Sequence, residues 1–198
     1  MKGKHIICLL VIVAILVGWL YLVKTNNEHW NESMEGRKIG KEYSLGEEVP
    51  LGESIVNKQA MRGYMVKVTN FEIVGYDDFL KENGYMIDNP YEIPYEKLGL
   101  VYITITNEDA DTEDFPIINL RLTTLDSCQY INKDVLMVCN ESLPETLMVS
   151  LKQHSSIDLL LPYDLFYDSL GADWNRLEKT AFYLRIATTP EELNIKIQ

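Results

Sequence analysis

The stretch VYITITN, residues 101–107, decides the fold class because polar and apolar side chains alternate along it. In an extended strand, Val101, Ile103 and Ile105 would lie on one face, and the residues between them would lie on the other. A strand with one apolar and one polar face is typical of a sheet that is buried on one side and solvated on the other. The stretch therefore predicts a half-buried β-strand.

The same alternation recurs in five other runs of the chain. Their apolar positions are Tyr64, Val66 and Val68; Ile118, Leu120 and Leu122; Ile157, Leu159 and Leu161; Phe182, Leu184 and Ile186; and Leu193, Ile195 and Ile197. Six such strands predict an all-β, antiparallel β-sandwich, and their spacing suits an immunoglobulin-like topology. The phase of the first run slips near Asn70, which indicates an irregular point in that strand.

Two short helices are expected as connections between the strands. Residues 77–83 predict the first helix, with Asp77 as its N-cap and Gly84 just beyond its end. Residues 172–179, ADWNRLEK, predict the second helix. Neither run is long enough to change the fold class, so the domain stays predominantly β.

Several of these segments together resemble a known group of proteins. The segments are LGEEVPLGE (45–53), GYMVKVTNFEIVGYDDFLKENG (63–84), VYITITN (101–107), LRLTTLD (120–126) and SIDLLLPYD (156–164). They are similar to uncharacterised membrane-anchored or secreted proteins of Gram-positive bacteria with telokin-like, immunoglobulin-like domains. The resemblance covers residues 43–198. It implies this fold and an extracytoplasmic location, and it carries no site residues or activity to this chain.

The N-terminal region predicts a membrane anchor. Residues 6–23, IICLLVIVAILVGWLYLV, carry no charge, and as a helix they would span about 27 Å, close to the thickness of a bilayer core. A cleaved signal peptide is the main alternative, but no small-residue cleavage site ends the run. We therefore predict a cytoplasmic tail, a transmembrane signal anchor, a flexible tether and an extracytoplasmic domain, over residues 1–5, 6–23, 24–43 and 44–198.

The charge of the chain limits both its orientation and its partners. Lys2 and Lys4 precede the apolar run, but basic residues also follow it, so charge alone leaves the orientation open. The order of basic start, apolar run and large polar domain favours a C-terminal domain outside the cytoplasm. A net charge of −12 argues against a nucleic-acid partner, because phosphate neutralisation needs clustered Lys and Arg.

A cluster of carboxylates follows the central strand and raises the question of a metal site. Its members are Glu108, Asp109, Asp111, Glu113 and Asp114. An EF-hand loop that began at Asp109 would need glycine at its sixth position and glutamate at its twelfth, where Asp114 and Leu120 stand. That loop type is excluded. A looser calcium site formed by Asp109, Asp111 and Asp114 stays as an alternative to a solvated turn.

Two cysteines beyond the apolar run are candidates for a disulfide. In CQYINKDVLMVC, residues 128–139, a four-residue hairpin loop at 132–135 would bring Cys128 opposite Cys139. Outside the cell such a pair could oxidise and stabilise the domain. The alternative is two buried free thiols, since cysteine packs as a small hydrophobic residue.

A long connection rich in tyrosine is the candidate binding surface. Residues 83–99 carry Tyr85, Tyr91 and Tyr95 between two predicted strands. Long loops without secondary structure are often functional, and tyrosine offers a large contact area at low entropy cost. The alternative is that these rings pack over the open end of the sandwich.

No familiar catalytic motif occurs in the chain: H-E-x-x-H, G-x-S-x-G and Gly-rich phosphate loops are all missing. We therefore expect a non-enzymatic, membrane-anchored module without a cofactor that binds or senses an unknown protein or envelope ligand. One alternative is a calcium-stabilised adhesion-type module. Another is a cell-envelope hydrolase with an unrecognised site.

Overall fold

The computed structural model of the protein describes residues 40–56, 59–86 and 97–198, together with Gly18. The chain divides into two compact units, Met1–Ile39 and Gly40–Gln198, and the second is the one described below. The predicted tail and anchor, apart from Gly18, and the tether up to residue 39 lie outside the described residues. Among the residues that are described, no helix is both long and apolar enough to cross a membrane.

The second unit is rich in β-strands, which are joined by turns and short helices. The strands are β1 (Lys41–Ser44), β2 (Glu48–Pro50), β3 (Ile55–Val56), β4 (Gln59–Ala60), β5 (Tyr64–Gly75), β6 (Lys97–Asn107), β7 (Asp114–Pro116), β8 (Arg121–Thr123), β9 (Cys128–Gln129), β10 (Met148–Ser150), β11 (Ser155–Leu165), β12 (Tyr183–Ala187) and β13 (Leu193–Lys196). The α-helices are α1 (Tyr76–Asn83), α2 (Lys133–Cys139) and α3 (Tyr167–Leu170), and 3-10 helices span Ile117–Asn119 and Gly171–Lys179.

Two larger sheets form the framework of this unit. The first has the order β11-β6-β5-β2 and is antiparallel throughout. The second has the order β1-β13-β12-β8-β9, and its edge strand β1 runs parallel to β13. The expected purely antiparallel arrangement is therefore wrong at this edge. Strand β1 also begins at Lys41, so the first sheet residues lie within the segment that was predicted to be tether.

The apolar faces of the two sheets pack against each other in one core, as the period of two predicted. Val101, Ile103 and Ile105 of β6 are all buried in it. The rings of Phe71 from the first sheet and Phe182 beside the second lie 5.4 Å apart. The core also holds the alternating residues of the other strands: Val66, Val68, Leu159, Leu161, Leu122, Leu184, Ile186, Leu193 and Ile195. A β-rich fold of packed sheets is confirmed.

A second, smaller core covers the opposite face of the first sheet. Leu98 and Leu100 of β6 are buried there with Tyr76 and Phe79 of α1 and Val135 of α2. The first half of β6 is therefore covered on both faces, and its apolar residues follow one another without strict alternation. The short helices are part of the packing rather than mere connections.

The ends of the short elements differ in detail from the sequence expectations. Helix α1 begins at Tyr76 with Gly75 as N-cap, so Asp77 lies in its first turn, whereas Gly84 ends it in the left-handed conformation as expected. The second predicted helix is a 3-10 helix, Gly171–Lys179, with a kink at Arg176. The predicted slip near Asn70 is confirmed as a register shift in β5.

The run of Ile118, Leu120 and Leu122 is only partly a strand. A 3-10 helix, Ile117–Asn119, occupies its beginning, and β8 starts at Arg121. Leu120 and Leu122 are nevertheless fully buried, so the apolar pattern arises from burial of a turn followed by a strand. This turn ends at Asn119, two residues before Arg121.

Candidate functional site

Two arginines lie directly opposite each other on the second sheet. Arg121 at the start of β8 pairs in register with Arg185 of β12. The neighbouring residues Leu122 and Leu184 are buried in the core, so the arginines lie on the outer face of the sheet. Like charges directly opposite across two strands are destabilising unless another group compensates them. This pair therefore requires an explanation.

Arg121 is held by neutral groups rather than by a carboxylate. Its Nη1 donates hydrogen bonds to the backbone oxygens of Ile118 and Leu120, and its guanidinium lies 4.6 Å from the centre of the Tyr130 ring. Within the described part of the chain, no ion pair joins Arg121 to an acidic residue. These contacts position the guanidinium and leave its charge unneutralised.

Arg185 has one acidic neighbour at the limit of ion-pair distance. Its Nη1 lies 3.9 Å from Oε1 of Glu192, and its Nη2 donates to the Cys128 sulfur at 3.5 Å. Oε1 of Glu192 also accepts a hydrogen bond from the Asn194 side chain at 3.1 Å. The two guanidinium groups therefore have one carboxylate between them, which lies beside Arg185 only, and this leaves a local excess of one positive charge.

A cleft of about 260 Å³ opens beside the two arginines, and we call it the arginine cleft. The residues lining it are Ile55, Val56, Asn119, Arg121, Arg185, Ile186, Ala187 and Thr188. The side-chain nitrogen of Asn119 is buried and has no hydrogen-bond partner among the described residues. Two guanidinium groups and an orphaned amide N–H₂ offer donors only, and this set is suited to an anionic acceptor.

The charge of Arg121 also acts on a tyrosine in the core. Tyr163 of β11 is completely buried, and its hydroxyl has no hydrogen-bond partner in the described part of the chain. Burial raises the pKa of this tyrosine, and the positive charge of Arg121 opposes that rise. An anion at the cleft would be attracted more strongly than at a fully solvated surface.

The acidic loop, residues 108–114, is a turn held by hydrogen bonds to a buried asparagine. Asn107 is completely buried; its side-chain oxygen accepts from the Ala110 N–H at 2.8 Å, and its nitrogen donates to the Leu151 oxygen at 2.8 Å. Asp109, Asp111 and Asp114 are exposed. Across the described residues, no group of three potential ligands is placed to hold a metal ion, and whether these three aspartates bind calcium stays a prediction.

The predicted cysteine hairpin is wrong. Residues 133–139 form α2, with the Asn132 side chain accepting from the Val135 N–H as an N-cap, and both Cys128 and Cys139 are free. The predicted disulfide between them is therefore not formed. Burial raises the pKa of the Cys139 thiol to about 11, so this thiol stays protonated at neutral pH.

The predicted tyrosine surface is described only at its first residue. Tyr85 is half-buried and its ring lies 6.0 Å from that of Phe79 in the smaller core. Tyr91 and Tyr95 lie outside the described residues. What is visible of this connection therefore packs against helix α1, and whether the three rings form a binding surface stays a prediction.

The arginine cleft has no signature motif in the sequence. Arg121 and Arg185 stand far apart in the chain, and each occupies an ordinary polar position in an alternating strand. Their proximity depends on the pairing of β8 with β12, which periodicity alone does not predict. The sequence contains only one indication of the cleft. Two arginines occupy polar positions in otherwise apolar strands, and the chain has fewer basic than acidic residues.

Comparisons with known proteins identify the family. The family described as "Domain of unknown function (DUF5028)" matches residues 40–193, and the chain belongs to it. Among solved structures, the crystal structure of the yjhA protein from Bacillus subtilis is similar, with 11% sequence identity and a TM-score of 0.47. That similarity covers 79% of this chain and 99% of the other. No curated protein matches the sequence significantly.

Proposed function

We propose that this member of the DUF5028 family is a non-enzymatic binding module that recognises an anionic group in the arginine cleft. The observation that carries the proposal is the direct pairing of Arg121 with Arg185 beside the unpartnered amide of Asn119. An anion would neutralise the local excess of positive charge and accept the free donors at the same time. Without an anion, the two guanidinium groups repel each other and the amide donors stay unsatisfied.

The lining of the cleft supports binding rather than catalysis. The residues around it supply N–H donors, one hydroxyl and aliphatic surface, and they include no carboxylate or histidine. General acid–base chemistry uses such groups within hydrogen-bond reach of the reacting atoms. A fixed set of donors on the strands of a sheet is suited to holding a ligand in one orientation.

The setting of this module belongs to the same proposal. Residues 6–23 anchor the protein in the cell membrane, and the domain lies outside the cytoplasm with an immunoglobulin-like fold of the telokin-like type found in Gram-positive bacteria. The support is the order of basic start, uncharged run and β-rich unit. With a C-terminal tag on the full chain, protease added to intact cells should remove the tag. Removal only after lysis would contradict this orientation.

The anion site is tested by thermal melting of the full chain in detergent. Sodium acetate or sodium phosphate is compared with sodium chloride at equal ionic strength, so that screening is constant. We expect both the wild type and Arg62→Gln to melt a few degrees higher with at least one of the two anions, because ligands stabilise the folded state by mass action. The control is matched in charge, since the Arg62 side chain is 75% exposed and pairs with Glu53. Arg185→Gln should show no such shift, and an equal shift in all three proteins would contradict the proposal.

A further inference from the structure

We infer that the group bound in the arginine cleft is a carboxylate attached to a small aliphatic part, as at the C-terminus of a peptide. This inference rests on the proposed function and goes beyond it by naming the chemical class of the ligand. Three properties of the cleft carry it: its net charge, its donors, and its size together with its apolar walls.

The net positive charge of the site would be neutralised by a ligand with one negative charge. Arg121 and Arg185 bring two positive charges, and Glu192 already places one carboxylate 3.9 Å from Arg185. A carboxylate monoanion completes the neutralisation. A phosphate dianion would bring a second charge toward Glu192, and the chain as a whole already carries a net charge of −12.

The donors of the site match the two oxygens of a carboxylate. Nη1 of Arg121 is used for backbone oxygens, and its other nitrogens make no contact with a carboxylate in the described part of the chain. Among the described residues, the two terminal nitrogens of Arg185 contact only a sulfur at 3.5 Å and a carboxylate at 3.9 Å. With the N–H₂ of Asn119, these groups offer enough donors for the about four lone-pair sites of one carboxylate.

The rest of the cleft is suited to a small aliphatic group. Ile55, Val56, Ile186 and Ala187 form half of the lining, and the Ile55 side chain is 45% exposed although it is large and apolar. A volume of about 260 Å³ holds roughly nine water-sized groups at about 30 Å³ each. This is the size of the end of a ligand, such as the last residue of a peptide, rather than of a whole cofactor.

Calorimetric titration of the full chain in detergent tests the inference with three probes. They are N-acetyl-alanyl-valine with a free carboxylate, the same dipeptide with a C-terminal amide, and inorganic phosphate. We expect the acid to bind saturably. The amide should bind at least about tenfold more weakly, because it loses the charge that the arginines recognise. Phosphate should also bind more weakly than the acid.

Two variants identify the site, and a third serves as the control. Arg185→Gln should weaken binding of the acid by about tenfold or more, and Arg62→Gln, with the same change of charge, should leave it unchanged. Thr188→Trp places a large ring at an exposed position of the lining and should block the acid without removing any charge. If Thr188→Trp and Arg62→Gln bind as the wild type does while Arg185→Gln does not fold, the cleft is not the site.

The outcomes separate the inference from the proposed function. Equal binding of the acid and the amide would overturn the carboxylate inference. Arg185-dependent binding of phosphate that is tighter than that of the acid would also overturn it, and would leave an anion-binding module in place. No binding of any of the three probes, together with no anion-dependent shift in melting, would overturn both.

Discussion

The acidic loop and the arginine cleft carry opposite charges and are built in opposite ways. At the loop, the polar groups of the buried Asn107 side chain are satisfied by Ala110 and Leu151, and the carboxylates are exposed to solvent. In the cleft, Arg121 and Arg185 face each other at half-buried positions, and the amide of Asn119 is left without a partner among the described residues. The loop is complete as it stands, whereas the cleft is not.

This difference shows that charge density along the sequence is a poor guide to a site. Neighbouring carboxylates in a turn repel one another, but water screens them at little cost. Two guanidinium groups brought together by sheet register are separated from bulk water on one side, and each repulsion or unmet donor costs more there. The site with the unneutralised charge and the unsatisfied donor is therefore the one that a bound ligand would stabilise. The following predictions test the contrast.

The largest effect should come from the residue that completes the acidic loop. Asn107→Ala removes an acceptor for the Ala110 N–H and a donor to the Leu151 oxygen, and should lower the free energy of unfolding by about 2–4 kcal/mol. Urea denaturation measures this change. Glu108→Gln, at an exposed position of the same loop, should stay within about 0.5 kcal/mol of the wild type. A small effect of Asn107→Ala would show that the loop is not held as described.

The half-buried carboxylate of Asp164 should contrast with the exposed carboxylates of the loop. Burial raises the pKa of Asp164 to about 6, a hydrogen bond from Asn132 opposes this rise, and the charge of Asp134 adds to it. In the unfolded chain, the aspartate side chain has a pKa of about 3.9. Between about pH 4 and 6, the Asp164 carboxyl is therefore protonated more often in the folded state than in the unfolded state. The stability of the folded state should therefore fall as the pH rises through this window, and the charged form should cost about 2 kcal/mol above it.

Asp164→Asn keeps an acceptor for the Asn132 side chain and removes the charge. It should raise the free energy of unfolding at pH 7.5 by about 2 kcal/mol, leave it nearly unchanged at pH 4, and flatten the slope between these values. Denaturation at several pH values measures this, with the exposed Asp111→Asn as the matched control. A slope that is the same in Asp164→Asn and in the wild type would contradict the assignment.

A smaller effect is expected at the incomplete site itself. Asn119→Leu replaces a buried, unpartnered amide by an aliphatic side chain of similar size, and should raise the free energy of unfolding by about 1 kcal/mol. The same variant should weaken binding of the carboxylate probe severalfold, because a donor is lost. Stability and binding would then change in opposite directions. If both fell together, Asn119 would be a structural residue and the contrast with Asn107 would fail.

The smallest effect should follow from neutralising the loop. The variant with Asp109→Asn, Asp111→Asn and Asp114→Asn should differ from the wild type by less than about 0.5 kcal/mol, since an amide oxygen in place of the Asp114 carboxylate would still accept from the Ser150 hydroxyl. Millimolar calcium should shift the melting temperature of neither protein. A calcium-dependent shift in the wild type that disappears in the variant would favour the calcium site over a solvated turn.

Much of the fold could be predicted because burial in a sheet repeats every two residues. Val101, Ile103 and Ile105 lie where their alternation places them, and even the slip near Asn70 is a real register shift. The parallel pairing of β1 with β13 could not be predicted, because the sequence of a short strand does not indicate which strand it pairs with. The helix at Lys133–Cys139 was missed because Asn132 suits both a turn and an N-cap.

The site could not be predicted for a related reason. Arg121 and Arg185 are informative only as a pair, and their pairing is a property of strand order rather than of either strand. The side-chain nitrogen of Asn119 becomes unusual only in the folded chain, where it is buried without a hydrogen-bond partner among the described residues. The acidic loop, by contrast, was visible at once because its residues are neighbours in sequence.

The most direct test compares binding of N-acetyl-alanyl-valine to three forms of the full chain by calorimetric titration. These are the wild type, Arg185→Gln, and the variant with asparagine at 109, 111 and 114. We predict that the loop variant binds with the affinity of the wild type and that Arg185→Gln binds about tenfold more weakly or not at all. Loss of binding in the loop variant, with affinity kept in Arg185→Gln, would contradict the account.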